Sequence, residues 1–228
     1  MNDLAQKLIE ELQCETVFTI PVLGGIPVSE AVVVTWIIMA VLVIVAFILT
    51  RNLKVDHISK RQAVAESIVT GLMNMVQGMV GEKGRKYVPY LTTVMLYIGD
   101  TNIIGLFGFK SPTKDLRVTV ALALMSIILI EAAGIYHKGV KRWLHGFVEP
   151  VAIVTPINIL EVVTKPLSLC MRLFGNVLGA FVIMELLKMI LPVGLPVVFS
   201  LYFDIFDGLL QAYVFVFLTS LYIDEITE

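Results

Sequence analysis

The run AVVVTWIIMAVLVIVAFILT, residues 31–50, is twenty consecutive residues without a charge. As a helix rising 1.5 Å per residue it is about 30 Å long, the thickness of a bilayer's hydrocarbon core. A cleaved secretory leader is the competing reading. It is disfavoured because thirty residues of mixed polarity precede the run and further apolar runs follow it. Composition agrees with a membrane protein: 57% of the 228 residues are hydrophobic and 16% charged, where soluble domains carry about 25% charged.

Several function classes drop out. A net charge of −2 offers nothing to a polyanion, so no nucleic-acid partner is expected. Cys14 and Cys170 make neither a disulfide framework nor a metal site, and Cys170 reads as packing in an apolar helix. There is no GxxxxGK[ST] loop and no HExxH, so no metal or cofactor is expected. An intramembrane enzyme would need a nucleophile–base or metal cluster, yet His57, His137 and His145 all lie near loops without matching acids. A secondary ion-coupled transporter, the runner-up class, would carry a repeat, and none is found.

One membrane domain is expected over residues 1–228. Residues 1–30 form an N-terminal segment with turn signals in IPVLGGIPV. Over 61–80, Val64, Ile68, Leu72, Val76 and Met79 recur at helical spacing among Gln62, Glu66, Thr70, Asn74 and Gln77. That pattern predicts an amphipathic helix along the membrane surface, with packing on the protein's own loops as the alternative. Apolar runs over 87–109, interrupted by Asp100 and Asn102, and over 118–136, containing Glu131, read as spans. Two longer runs, 156–191 and 197–223, are joined by LPVGLP. The expected fold is therefore an all-α membrane protein with five transmembrane helices plus one amphipathic surface helix. About 36 residues of helix reach about 54 Å, more than the core needs. The hairpin over 156–223 must then tilt, extend beyond the bilayer, or kink, for which Pro166 is placed.

Basic residues set the orientation. The loops at 51–61, 83–86 and 138–142 hold ten Lys and Arg, against one before the first span, three at 110–117 and none at 192–196. The basic loops belong in the cytoplasm, with the N-terminus outside and the C-terminus inside.

Polar residues on the long hairpin are few and aligned. At 100° per residue, Glu161, Lys165, Ser168, Arg172, Asn176 and Gly179 fall in a stripe roughly 80° wide, and Asp204, Asp207 and Gln211 share a face of the following helix. A charge at mid-membrane costs from about 2.5 to over 10 kcal/mol. Arg172 is midway along its helix, stays protonated at any working pH, and therefore suits a fixed electrostatic gate; a buried ion pair with Asp204 or Asp207 is the plainer alternative. Glu185, Asp204 and Asp207 lie toward one membrane face and Glu161 toward the other, so two aqueous pockets separated by Arg172 are expected. Glu161 could instead pair with Lys165, and Glu185 with Lys188. The four-residue spacing of Gly175 and Gly179 reads as close helix packing, which could also admit another subunit's helix.

The chain resembles the subunit a family of F-type ATP synthases, the membrane stator beside the rotating c-ring. KPLSLCMRLFGN is similar to the family signature, with Arg172 on its essential arginine. LLQAYVFVFLTSLYI is similar to the final helix, with Gln211 on its polar glutamine, and SPTKDLRVTVALAL and TNIIGL are weaker likenesses. The resemblance covers the chain from about residue 31 onward. It implies a non-catalytic subunit that passes ions through two offset half-channels to and from c-ring carboxylates, kept apart by Arg172, with Asn176 and Gln211 beside the arginine and Asp204 in the outer path; Asp207, Glu185, Glu161 and Ser168 join the expected path by their placement on the hairpin. It implies the c-ring, peripheral stalk subunit b and other ATP synthase subunits as partners, within the lipid bilayer. Protons are the default ion and Na+ the alternative. The position nine residues after the arginine, where many relatives carry Glu or His, is Phe181. The lack of an Arg/Ser-rich leader favours a bacterial plasma membrane.

Overall fold

The computed structural model describes residues 16–20, 26–51, 59–82, 84–107, 111–146, 155–190, 194 and 199–227. Expectations for Cys14, His57 and most of the LPVGLP turn lie outside these residues. Among the described residues, seven α-helices follow a small antiparallel hairpin of β1 (Thr16–Ile20) and β2 (Ile26–Ser29). They are α1 (Glu30–Thr50), α2 (Lys60–Val80), α3 (Val88–Ile103), α4 (Leu116–Lys138), α5 (Val140–Gly146), α6 (Thr155–Ile190) and α7 (Gly208–Thr227). A π-helical turn, Leu201–Asp207, leads into α7. The chain is an all-α membrane protein; the hairpin ahead of α1 was not evident in the sequence.

Local chemistry sets the helix ends. Ser59 accepts the Gln62 N–H at 3.3 Å to cap α2. Asp115 accepts the Arg117 N–H at 2.9 Å to cap α4, and its other oxygen accepts the Ser29 hydroxyl at 3.0 Å. One carboxylate thus ties the start of α4 to the end of β2, where α1 begins. α4 stops at Gly139, whose φ of 76° is costly for any residue with a Cβ. Pro166 does not interrupt α6, which runs as one helix of 36 residues, about 54 Å.

Among the described residues, five helical stretches are long and apolar enough to cross a membrane: Glu30–Thr50, Lys60–Val80, Leu116–Lys138, Thr155–Lys188 and Leu201–Thr227. The number matches expectation but the set differs. α2 qualifies, whereas α3 has 16 residues and continues as a 3-10 turn through Phe107. The reason lies in packing. α3 contacts α1, α2 and α7, and Thr92, Thr101 and Asn102 are buried in it. A helix shielded by protein need not be apolar all round. The apolar stripe of α2 is divided: Val76 and Val80 are fully buried, while Val64 and Ile68 are 60% and 57% exposed.

α7 is the central element. It packs on α2, α3, α4 and α6, and Gly208, Gln211, Ala212, Phe215, Val216, Thr219, Ser220 and Ile223 are buried along it at helical spacing. Small residues on this stripe let neighbouring backbones approach. The closest approach is at Gly208, where a Cβ would lie 2.7 Å from the Asn102 Cβ. Asn102 uses the contact, donating from Nδ2 to the Gly208 carbonyl at 3.1 Å.

Gly208→Ala is therefore expected to push α3 from α7 and lower the protein's thermal midpoint in detergent, at a cost of about 1–3 kcal/mol. Gly71→Ala, where a Cβ meets nothing within 4 Å, is the control and should leave the midpoint unchanged or raise it. Equal melting of both variants would refute the α3–α7 contact as a packing constraint.

Candidate functional site

α6 presents two different sides. Leu169, Cys170 and Leu173 are buried, and the Cys170 thiol donates to Thr119 Oγ1 of α4 at 3.6 Å. Ser168, Arg172, Gly175 and Asn176 are exposed on the other side. A Cβ at Gly175 or Gly179 would meet nothing within 4 Å. The two glycines therefore do not serve close packing inside this chain; they leave a shallow face open beside Arg172.

Among the described residues no ion pair involves Arg172. The alternative of a buried pair with Asp204 or Asp207 is not what the structure holds. A permanent charge far from either end of a 36-residue helix cannot easily snorkel to water, so its stability depends on what meets that face.

Asn176, one turn beyond Arg172, bridges the last two helices by donating from Nδ2 to Gln211 Oε1 at 2.7 Å. Gln211 is 2% exposed. Its own Nε2 has no hydrogen-bond partner among the described residues, a rare condition for a buried amide.

Two cavities with charged residues in their lining flank this point. The first, about 340 Å³, is lined by Asn102, Lys114, Phe181, Lys188, Asp204, Asp207 and Gln211, among others. The π-helical turn carries both aspartates into it; such turns concentrate at functional sites. The second, about 300 Å³, is lined by Glu131, Arg142, Trp143, Glu161, Lys165 and Glu225, among others. There Lys165 Nζ lies 3.0 Å from both Glu161 Oε1 and Glu225 Oε2, and the Trp143 indole N–H donates to Glu131 Oε2 at 2.9 Å. On α6 the cavities end at Lys165 and begin at Val177, about 18 Å apart along the axis. Arg172 stands between them and lines neither.

The aligned residues thus separate into groups. Asp204, Asp207 and Gln211 share the first cavity and Glu161 lines the second. Arg172 and Ser168 face outward between them. Glu185 does not line the first cavity; it pairs with Lys188 at 3.3 Å, and Lys188 lines it instead.

Sequence reasoning passed over Lys114. It is 8% exposed, and its Nζ lies 3.2 Å from the Phe181 ring centroid, a cation–π contact. The position nine residues past Arg172 therefore brings a cation to the cavity through its aromatic face. The only signal was a lysine in the turn SPTKDLR, which by itself marks a solvated loop. Asn102, which interrupts the apolar run 87–109, holds the cavity wall: its Oδ1 accepts from Thr113 Oγ1 at 3.0 Å while its amide reaches Gly208.

The chain is similar to known proteins over most of its length. The family described as ATP synthase A chain matches residues 32–224. ATP synthase subunit a of Moorella thermoacetica is 36% identical over 203 residues, covering 88% of this chain and 92% of that protein. ATP synthase subunit a 1 of Chlorobaculum parvum is 34% identical over 208 residues, with 90% and 91% covered. A protein of Propionigenium modestum named ATP synthase subunit a, sodium ion specific, is 34% identical over 215 residues, with 87% and 74% covered. With nearly every described helix inside the matched region, the chain belongs to the subunit a family of ATP synthases, multi-pass membrane proteins of ATP synthesis and ion transport that work with other ATP synthase subunits.

Proposed function

We propose that the chain is the ion-conducting stator subunit of a rotary F-type ATP synthase, without a chemical active site of its own. The observation that carries this reading is the position of Arg172: in no ion pair among the described residues, exposed, and between two cavities with charged lining residues toward opposite ends of α6. The cavity with Asp204 and Asp207 is the outer half-channel and the cavity with Glu161 the inner one. The distribution of Lys and Arg orients them, with the N-terminus outside and the C-terminus cytoplasmic in a bacterial plasma membrane.

The partner at the open face is the c-ring. A carboxylate on a rotor helix that slides over Gly175 and Gly179 meets the Arg172 guanidinium, which favours its ionised form. The site releases its ion there and takes another from the opposite cavity. The same fixed charge repels a cation moving straight from one cavity to the other. Asn176 holds α6 to α7 beside the arginine, and the unpartnered Nε2 of buried Gln211 needs an acceptor that water in the first cavity supplies; about 340 Å³ is ample room. Ser168 lies on the same open side, one turn toward the inner cavity. α2 lies at the membrane surface, its exposed Val64 and Ile68 turned toward lipid or toward peripheral stalk subunit b.

Protons are the coupling ion in this reading. Na+ is the second reading, favoured by the likeness to the Propionigenium modestum protein, whose name specifies sodium.

In vesicles carrying the whole complex, Arg172→Ala is expected to abolish gradient-driven ATP synthesis while assembly is unchanged. The wild-type complex under an imposed proton gradient, and then a sodium gradient, identifies the ion. Retained synthesis in Arg172→Ala would sink the gate. Gly179→Leu, at a position where a Cβ meets nothing within 4 Å, should leave the chain folded and reduce synthesis severalfold. Full activity in that variant would show that no rotor helix passes there.

A further inference from the structure

A third recess, away from the ion path, opens between α1, α3 and α4. Its volume is about 530 Å³ and its walls are almost wholly apolar, with Met39 and Val43 of α1, Tyr90 and Tyr97 of α3, and Met125 of α4. Among the described residues, Arg117, in the first turn of α4, is the one charged residue lining it. Arg117 is exposed, and among the described residues no carboxylate pairs with it. The neighbouring Asp115 is already engaged by the Ser29 hydroxyl and the Arg117 backbone N–H. α1 and α4 both begin at this end, so the guanidinium sits at the headgroup level of that leaflet with the apolar groove running inward beneath it.

We propose that this groove is a binding site for an anionic phospholipid, one acyl chain lying between α1, α3 and α4 and the phosphate on Arg117. Dimensions favour a lipid over a protein helix. On α1 the groove runs from Val32 to Val43, about 17 Å. That is roughly half of a ~30 Å hydrocarbon core, the depth of one leaflet. A transmembrane partner helix would need a seat across the full thickness. Charge supports the same occupant: a guanidinium takes phosphate oxygens in bidentate fashion. The groove walls are braced by the Tyr97 hydroxyl, which donates to Thr35 Oγ1 at 3.3 Å.

The whole complex is reconstituted in vesicles of phosphatidylglycerol and phosphatidylcholine. They contain a trace of phosphatidylglycerol bearing a photoactivatable group midway along one acyl chain. After illumination, labelling is mapped by peptide mass spectrometry. Met39, Val43 and Met125 are expected to be labelled severalfold more than Ile44 and Ile128, which are 57% and 66% exposed but lie outside the groove. Arg117→Gln should lower groove labelling about fivefold, the worth of one basic residue at a lipid surface, and Arg117→Lys should retain most of it. In the wild-type complex, a diacylglycerol carrying the same photoactivatable group and no phosphate should label the groove as weakly as it labels Ile44. The proposal is overturned by groove labelling no stronger than at Ile44 and Ile128, by equal labelling with the phosphate-free probe, or by exclusion of label from the groove. The last is the result that a protein helix seated there would produce.

Discussion

The burial of α7 against four other helices is the contact on which the remaining geometry rests. Its stripe of small and polar residues, from Gly208 through Thr219 and Ser220, admits neighbouring backbones closely. In a lipid solvent no hydrophobic drive holds helices together, so close packing and interhelical hydrogen bonds must do so. The Asn102 amide on the Gly208 carbonyl and the Asn176 amide on Gln211 are two such bonds. They join α7 to α3 on one side and to α6 on the other, and the first cavity lies in the angle between them.

Charge is then distributed by depth and by face. The paired charges sit toward the two ends of α6: Lys165 with Glu161 and Glu225 in one cavity, Lys188 with Glu185 at the far end. Arg172, in no ion pair among the described residues, sits between the two cavities on a face that this chain leaves open. The face carries two glycines with free space and, among the described residues, a guanidinium without an ion-pair partner; in the proposed function that incompleteness is what a second subunit's carboxylate would use.

Much of this was legible in the sequence, for identifiable reasons. The 31–50 run, the aligned polar stripe on α6 and the length of the hairpin depend on local periodicity, which survives folding unchanged. The enclosure of α3 was not legible, since a run broken by Asp100 and Asn102 looks the same whether protein or water satisfies it. The pairing of Glu185 was an open alternative that side-chain reach alone decides. Lys114 was invisible because its significance depends on Phe181, 67 positions further on, and no local pattern carries that distance. The N-terminal hairpin lay in a segment whose glycines and prolines announced turns without naming what they join.

The π-helical turn at Leu201–Asp207 bears on comparison between relatives. Such a turn is an α-helix that has accommodated one additional residue. A relative without that residue keeps Gln211 and everything after it seated as here, while each position ahead of Gly208 moves round the axis by about 100°. A one-residue gap at this place in an alignment then marks a change of helix geometry rather than a lost side chain. The acids facing the first cavity should therefore be matched between proteins by their bearing around the helix axis. Counting back from the glutamine would pair residues that point in different directions.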